Sequence, residues 1–285
     1  MRFKGLFCLS ALLLFSMAVS AFAQEKCEGI YGNGPHKFTL ATGSPGELGI
    51  LKALGETFGK ENNTTLCWIK AGSGDSLKLL KEKKVDMIMV HAPAAEKTAV
   101  AEGWASLNKL IGSNEFYVVG PPDDPAKISG ARSTADAYKR IAAAKARFFS
   151  RGDNSGTHKK EMDVWAMTGI TPSGDWYIIT KDFMTATLKR ADREGGYFMT
   201  DSSTWVAERN NMPNLKILFR GDKFLINTYH TLAQPAGATP GAATASKFID
   251  FVVSGEGQRL IRDFGKEEYG EGLYNDAAYA KQYDE

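Results

Sequence analysis

KFTLATGSPGELGILKALGETF, residues 37–58, decides the fold. Phe38 and Leu40 alternate with polar neighbours, the period of a strand. A turn of Ala41, Thr42, Gly43, Ser44 and Pro45 follows. Leu48, Leu51, Leu54 and Phe58 then recur at three- and four-residue spacing and mark one face of a helix. The same strand, Gly/Ser turn and helix repeat at once. Residues 65–71 (TLCWIKA) read as a strand, Ala71-Gly72-Ser73-Gly74-Asp75 as the turn, and Leu77 and Leu80 as the inner face of a shorter helix. That helix ends in the charged run 81–84, a solvated end, and residues 85–91 (VDMIMVH) form the next strand. The order βαβαβ predicts a parallel sheet covered by helices.

Further along, a helix over 94–102 leads to a strand over 115–120, and Pro121-Pro122-Asp123-Asp124-Pro125 punctuates the chain. A second α/β set follows, with strands at 147–150, 176–180, 197–200 and 215–219 and helices at 134–145, 158–168 and 182–193. The apolar run 224–232 (FLINTYHTL) is read as a strand that brings the chain back, and helices at 241–254, 257–264 and near 275–282 close it. Two α/β halves suggest a hinge, with crossings around 116–120 and 225–230. The expected division is 24–117 plus 229–285 as the first lobe and 118–228 as an inserted second lobe.

The start of the chain bears on its destination. Arg2 and Lys4 precede an apolar run, and Ala21-Phe22-Ala23 has the small-residue pattern of a cleavage site, so residues 1–23 read as a signal peptide cut after Ala23. The run is short for a bilayer span, which needs about 20 apolar residues. Export to the periplasm is the expectation. Removing these residues takes away two of the 35 Lys+Arg and none of the 33 Asp+Glu, so the formal charge falls from +2 to zero. Nothing electrostatic then argues for nucleic acid. About 260 residues remain, enough for two medium domains. Cys27 and Cys67 could pair in an oxidising compartment or stay as separate thiols.

A third Gly/Ser turn lies at 150–161, SRGDNSGTHKKE, between a strand and a helix. Free N–H groups at a helix start favour an anion. Ser155 and Thr157 add hydroxyls, and Arg151 adds a planar fork suited to an oxyanion. Three such turns at three strand ends could converge on one small anion. Each alone has a plainer reading: Ser44-x-x-Glu47 fits a capping box, and Ser73 and Ser155 fit helix caps. Asp153 either accepts a ligand proton or orients Arg151. Arg151-Gly152-Asp153 as an adhesion tripeptide fails, because the turn is wedged between strand and helix. A serine hydrolase lacks its nucleophile elbow. His36, His91, His158 and His230 have no metal-ligand spacing and read as structural. Trp104, Trp165, Trp176 and Tyr177 read as core residues.

These residues together resemble the periplasmic tungstate-binding proteins of ABC transporters, the TupA family. The similarity rests on SRGDNSGTHKKE followed by Trp165, Trp176-Tyr177, Val90-His91-Ala92-Pro93 with Glu96, and 113–121 (SNEFYVVGP) with Asp124-Pro125. It extends to Thr200-Asp201 with Thr204, and Gly221-Asp222 with Asn227 and Tyr229. Phosphate-binding proteins share only the shorter Arg-x-Asp-x-Ser-Gly-Thr pattern. The resemblance implies an α/β fold of two lobes, the type II periplasmic-binding-protein or Venus-flytrap arrangement. Mixed sheets flanked by helices would be joined by a hinge of two crossover strands. It implies no catalysis, no cofactor and no bound metal cation. The partners implied are a small inorganic anion, tungstate or molybdate, and an inner-membrane permease; a monomer is expected. Arg151 and Thr157 map to anion contacts of the family. Ser44 and Thr42 stand in a first turn that has fewer hydroxyls than the family's, and Ser73 stands where the second turn has one. With Ser155, these six form the candidate site. Phosphate, sulfate or a carboxylate as ligand, an anion sensor and a phosphoryl transferase are the alternatives.

Overall fold

The computed structural model describes residues 26–284, so the leader and its cleavage site lie outside the described residues. In chain order the strands are β1 (Gly29–Gly32), β2 (His36–Thr42), β3 (Thr64–Lys70), β4 (Met87–Val90), β5 (Ser106–Gly120) and β6 (Phe148–Ser150). They continue as β7 (Tyr177–Ile179), β8 (Tyr197–Asp201), β9 (Lys216–Phe219), β10 (Ile226–Ala233) and β11 (Asn275–Asp276). The main helices are α1 (Ser44–Glu47), α2 (Ile50–Asn62), α3 (Ser73–Lys81), α4 (Pro93–Ala101), α5 (Thr134–Ala144) and α6 (Gly156–Thr168). After them come α7 (Met184–Glu194), α8 (Ser202–Glu208), α9 (Ala242–Val252) and α10 (Gly255–Asp263).

The neighbour order is β1-β3-β2-β4-β10-β5-β8-β6-β7. β2 pairs in parallel with β3 and β4, as the βαβαβ pattern predicts. β10 then runs antiparallel to both β4 and β5. β5 belongs to both sheets. Its first part pairs with β10 from Ser106 to Glu115, and Phe116 to Val119 pair with β8. The sequence pattern marks only residues 115–120 of this strand, because Ser106 to Asn114 alternates poorly. Its extended shape comes from pairing with β10. β1 and α8 were also missed: each is short, and the surrounding sheet rather than local pattern sets it.

Period-two alternation divides the first sheet between two cores. Leu40, Leu66, Met87 and Met89 face one cluster with Phe58 and Phe248. Ala41, Ile69, Ile88 and Val90 face another with Leu77 and Leu80. The second sheet packs a separate aromatic core, in which Trp165 lies 4.5 Å from Tyr138 and 5.5 Å from Phe148 between ring centres. Trp165 is fully buried there, whereas Trp104, Trp176 and Tyr177 only pack against the cores. Cys27 and Cys67 form a disulfide, with Cα atoms 5.4 Å apart, which fastens the N-terminal segment to β3. No helix of the described residues is long and apolar enough to cross a membrane.

Candidate functional site

β2, β3 and β4 run in parallel, so the turns after them emerge at one edge. Ligands in such sheets bind at the carboxyl ends of the strands. A small, nearly closed cavity of about 10 Å³ lies there, and its wall holds Thr42, Ser44, Ser73, Arg151 and Ser155. Five of the six candidate residues therefore meet. A more open hollow beside the disulfide is lined by Lys37, Thr65 and Asp86, at the opposite ends of the same strands.

The turns from the two sheets touch. A Cβ on Gly74 would fall 2.5 Å from Asn154, and one on Gly156 would fall 2.4 Å from the His91 ring. Both positions tolerate only glycine at this approach. Phe183 sits between the sheets as well, with Lys70 Nζ 4.3 Å from its ring centre on one side and the Arg151 guanidinium 5.5 Å away. Lys70 also pairs with Glu47 at 2.7 Å.

Arg151 is only 4% exposed. Its Nε donates to Asp153 Oδ2 (3.0 Å) and to the Asp182 carbonyl (3.2 Å), and its Nη2 donates to Asp153 Oδ2 (2.6 Å). Asp153 Oδ1 accepts from the Ser155 amide at 3.1 Å. Asp153 is therefore engaged through both oxygens, which is the orienting role. Nη1 of Arg151 has no such partner among the described residues, so part of the guanidinium's donor set stays open.

The serines differ. Ser155 is the N-cap of α6 and accepts from His158 N at 3.3 Å. Ser44 and Ser73 are not caps: Gly43 and Gly72 hold those positions, and no side-chain cap bond forms. Glu47 does not close a capping box but pairs with Lys70. Ser73 Oγ accepts from the His91 amide at 3.3 Å, which leaves its hydrogen to donate. Thr42 lies in the wall, yet its hydroxyl hydrogen goes to the Met89 carbonyl at 2.8 Å. Thr157 falls outside the wall, in the first turn of α6, with its Oγ1 buried and unpartnered.

His91 and Tyr229 also line the cavity, and residue-by-residue reading passed over them. His91 closes β4 as Ser44 and Ser73 follow β2 and β3. A polar residue at the end of a third parallel strand is the signal that could have found it. Its Nδ1 lies 2.9 Å from Asn227 Oδ1, and its ring centre lies 4.9 Å from that of Tyr229. The ring is half-buried by surface but densely surrounded. Burial pushes its pKa down to about 4; the Asn227 bond opposes this, while Arg151, Lys160 and Lys159 reinforce it. Beneath the Arg151 turn, Glu161 accepts from Tyr177 Oη (2.6 Å) and Trp165 Nε1 (3.1 Å). Burial raises its carboxyl to about 7, against the pull of these bonds. No cluster of His, Cys, Asp and Glu among the described residues could hold a metal cation.

Two sheets joined by β5, with donor-bearing turns of both meeting at a cavity, define a solute-binding protein. A family model of the PBP superfamily domain matches residues 29–256. The tungstate-binding protein TupA of Peptoclostridium acidaminophilum is 31% identical over 274 residues, covering 93% of this chain and 96% of the relative. A solved structure of the tungstate ABC transporter from Geobacter sulfurreducens is 36% identical, with a TM-score of 0.73 over 81% of this chain and all of that one. The tungstate-binding protein TupA from Desulfovibrio alaskensis is also 36% identical, with a TM-score of 0.70 over 84% and 98% of the two chains. The chain belongs to the PBP superfamily and, within it, to the TupA family. These relatives are named as a tungstate-binding protein and a tungstate ABC transporter.

Proposed function

We propose that the protein captures tungstate, or molybdate, in the periplasm and delivers it to the permease of an ABC importer. The observation that carries this reading is Arg151: a buried guanidinium in the cavity wall, positioned by Asp153, with donors still open. Ser44 and Ser73 offer hydroxyls from the other sheet, and Ser155 and Thr157 stand at the start of α6, where free amides and the helix dipole favour an anion. Thr42 lines the wall with its hydroxyl hydrogen already given to the Met89 carbonyl. The cavity wall contains no carboxylate, which favours an oxyanion that has lost all its protons over one that must donate. The bodies that would close on it are 24–117 with 229–285, and 118–228.

Thermal melting with tungstate, molybdate, sulfate and phosphate tests the reading. A ligand at 100 times its Kd stabilises by about 2.7 kcal/mol. Tungstate and molybdate are expected to shift the melt, and sulfate or phosphate at equal concentration to shift it less. A shift with phosphate alone would overturn the assignment.

A further inference from the structure

A chain of hydrogen bonds fixes which nitrogen of His91 carries its hydrogen. Ser203 Oγ donates to the Leu273 carbonyl at 2.6 Å, so it meets Asn114 Nδ2, 2.8 Å away, with a lone pair. The Asn114 nitrogen also approaches Asp201 Oδ1 at 3.3 Å, and that carboxylate takes the Thr204 amide (2.8 Å) and hydroxyl (2.9 Å) as well. The Asn114 oxygen is thereby turned to Asn227, whose Nδ2 donates to it at 2.7 Å. What faces His91 Nδ1 at 2.9 Å is then the Asn227 oxygen, which can only accept. Nδ1 carries the hydrogen, and Nε2 of the neutral ring is its basic atom.

The charges of the wall give that basic atom a task. Arg151 is the wall's cation, and Asp153 already pairs with it at 2.6 Å. A dianion would therefore enter a wall of nearly zero net charge. Among the wall residues His91 is the one that can gain positive charge near neutral pH. We propose that His91 takes up a proton at Nε2 when the oxyanion enters and becomes the second cation of the site. This rests on the anion-binding reading above and deepens it, because it makes capture a proton-coupled event.

Every element around the ring fits this role. Arg151 reaches it from the turn after β6, and Lys159 and Lys160 act from α6. β10 contributes Asn227 and Tyr229, and β5 contributes Phe116, its ring centre 6.2 Å away. In the free protein burial and the three cations keep the ring neutral. A dianion alongside reverses the sign of the local field and favours the imidazolium. Affinity then rises as pH falls, by up to about tenfold per pH unit between the free and bound pKa values.

Calorimetry of tungstate binding near pH 6.5, in two buffers of different ionisation enthalpy, reads the proton directly. The wild-type protein is expected to take up a large fraction of one proton per anion. His91→Gln is expected to bind more weakly, take up none, and lose the rise in affinity toward low pH. Nitrogen NMR of the histidine-labelled wild type, which has four histidines, needs no variant: tungstate should convert one ring from neutral to imidazolium. Binding without proton uptake, uptake unchanged in His91→Gln, or four unmoved rings would each overturn the proposal. A wild-type protein that fails to bind tungstate would instead overturn the anion-binding reading, and this inference with it.

Discussion

On one face of the cavity, Ser44 and Ser73 occupy the first positions of α1 and α3, uncharged and making no cap bond. On the other, Arg151, Asp153 and Ser155 are locked to one another, and Ser155 also caps α6. The first face can change hydroxyl orientation at little cost. The second is organised before any ligand arrives, because its charge must be buried in a fixed geometry to be tolerated at all. The difference teaches that the buried charge pair lies on one face and the uncapped hydroxyls of Ser44 and Ser73 on the other, so each can be perturbed separately.

Arg151→Ala gives the sharpest break. It removes the charge and strands Asp153, a loss in the range of about 2–5 kcal/mol for one partner of a buried hydrogen-bonded pair. Titration calorimetry is expected to show no tungstate binding; retained affinity would detach the organised face from the ligand. Opening the Cys27–Cys67 link acts on the first sheet, through β3. The bridge spans 40 residues, and chain entropy assigns such a loop up to about 4 kcal/mol. Denaturation of Cys27→Ser/Cys67→Ser should show a loss of about 2–4 kcal/mol with tungstate affinity little changed.

The junction between the faces responds to acid. The folded pKa of His91, about 4, lies below the unfolded value near 6.5, so the neutral ring contributes stability above the unfolded pKa. That contribution is lost as pH falls from about 6.5 to about 4, by at most about 3 kcal/mol. His230, on β10 opposite Val90, has the opposite sign. Burial alone would lower its pKa, but the bond to Glu96 and the charges of Glu96 and Asp284 leave it raised. Its contribution is present below about 6.5 and is lost as pH rises through the folded value. Urea titrations of His91→Gln and His230→Gln across pH should therefore flatten the acid and alkaline limbs respectively; equal changes on both limbs would refute the assignment.

Smaller effects separate the serines. Ser155→Ala should lower both stability, by about 1 kcal/mol for a lost cap, and affinity. Ser44→Ala, which removes a hydroxyl that makes no cap bond, should lower affinity by about 1 kcal/mol and leave the melt of the free protein nearly unchanged. If both variants behaved alike, the contrast between the faces would fail. Phe183→Ala, which removes the ring shared by Lys70 and Arg151, is expected to cost about 0.5–1 kcal/mol of binding.

Local pattern was enough for the parallel units and for the Gly/Ser turns, because side-chain period and turn chemistry act over a few residues. Residues 37–58 carry strand, turn and helix in their own spacing. The length of β5, the placement of β1 and the position of α8 depended on partners distant in the chain, and short-range pattern does not carry that information. The uses of individual polar atoms were equally hidden. Thr42 gives its hydrogen to Met89, Asp153 is taken by Arg151 and Ser155, and Ser44 and Ser73 are not caps, although all had plausible local readings. His91 read as structural and stands in the cavity wall. By itself the sequence determined the alternation of elements, the donor-rich turns and the family they resemble. Only the tertiary structure decided which donors remain open, because a hydrogen bond belongs to whichever partner the packed chain brings within about 3 Å.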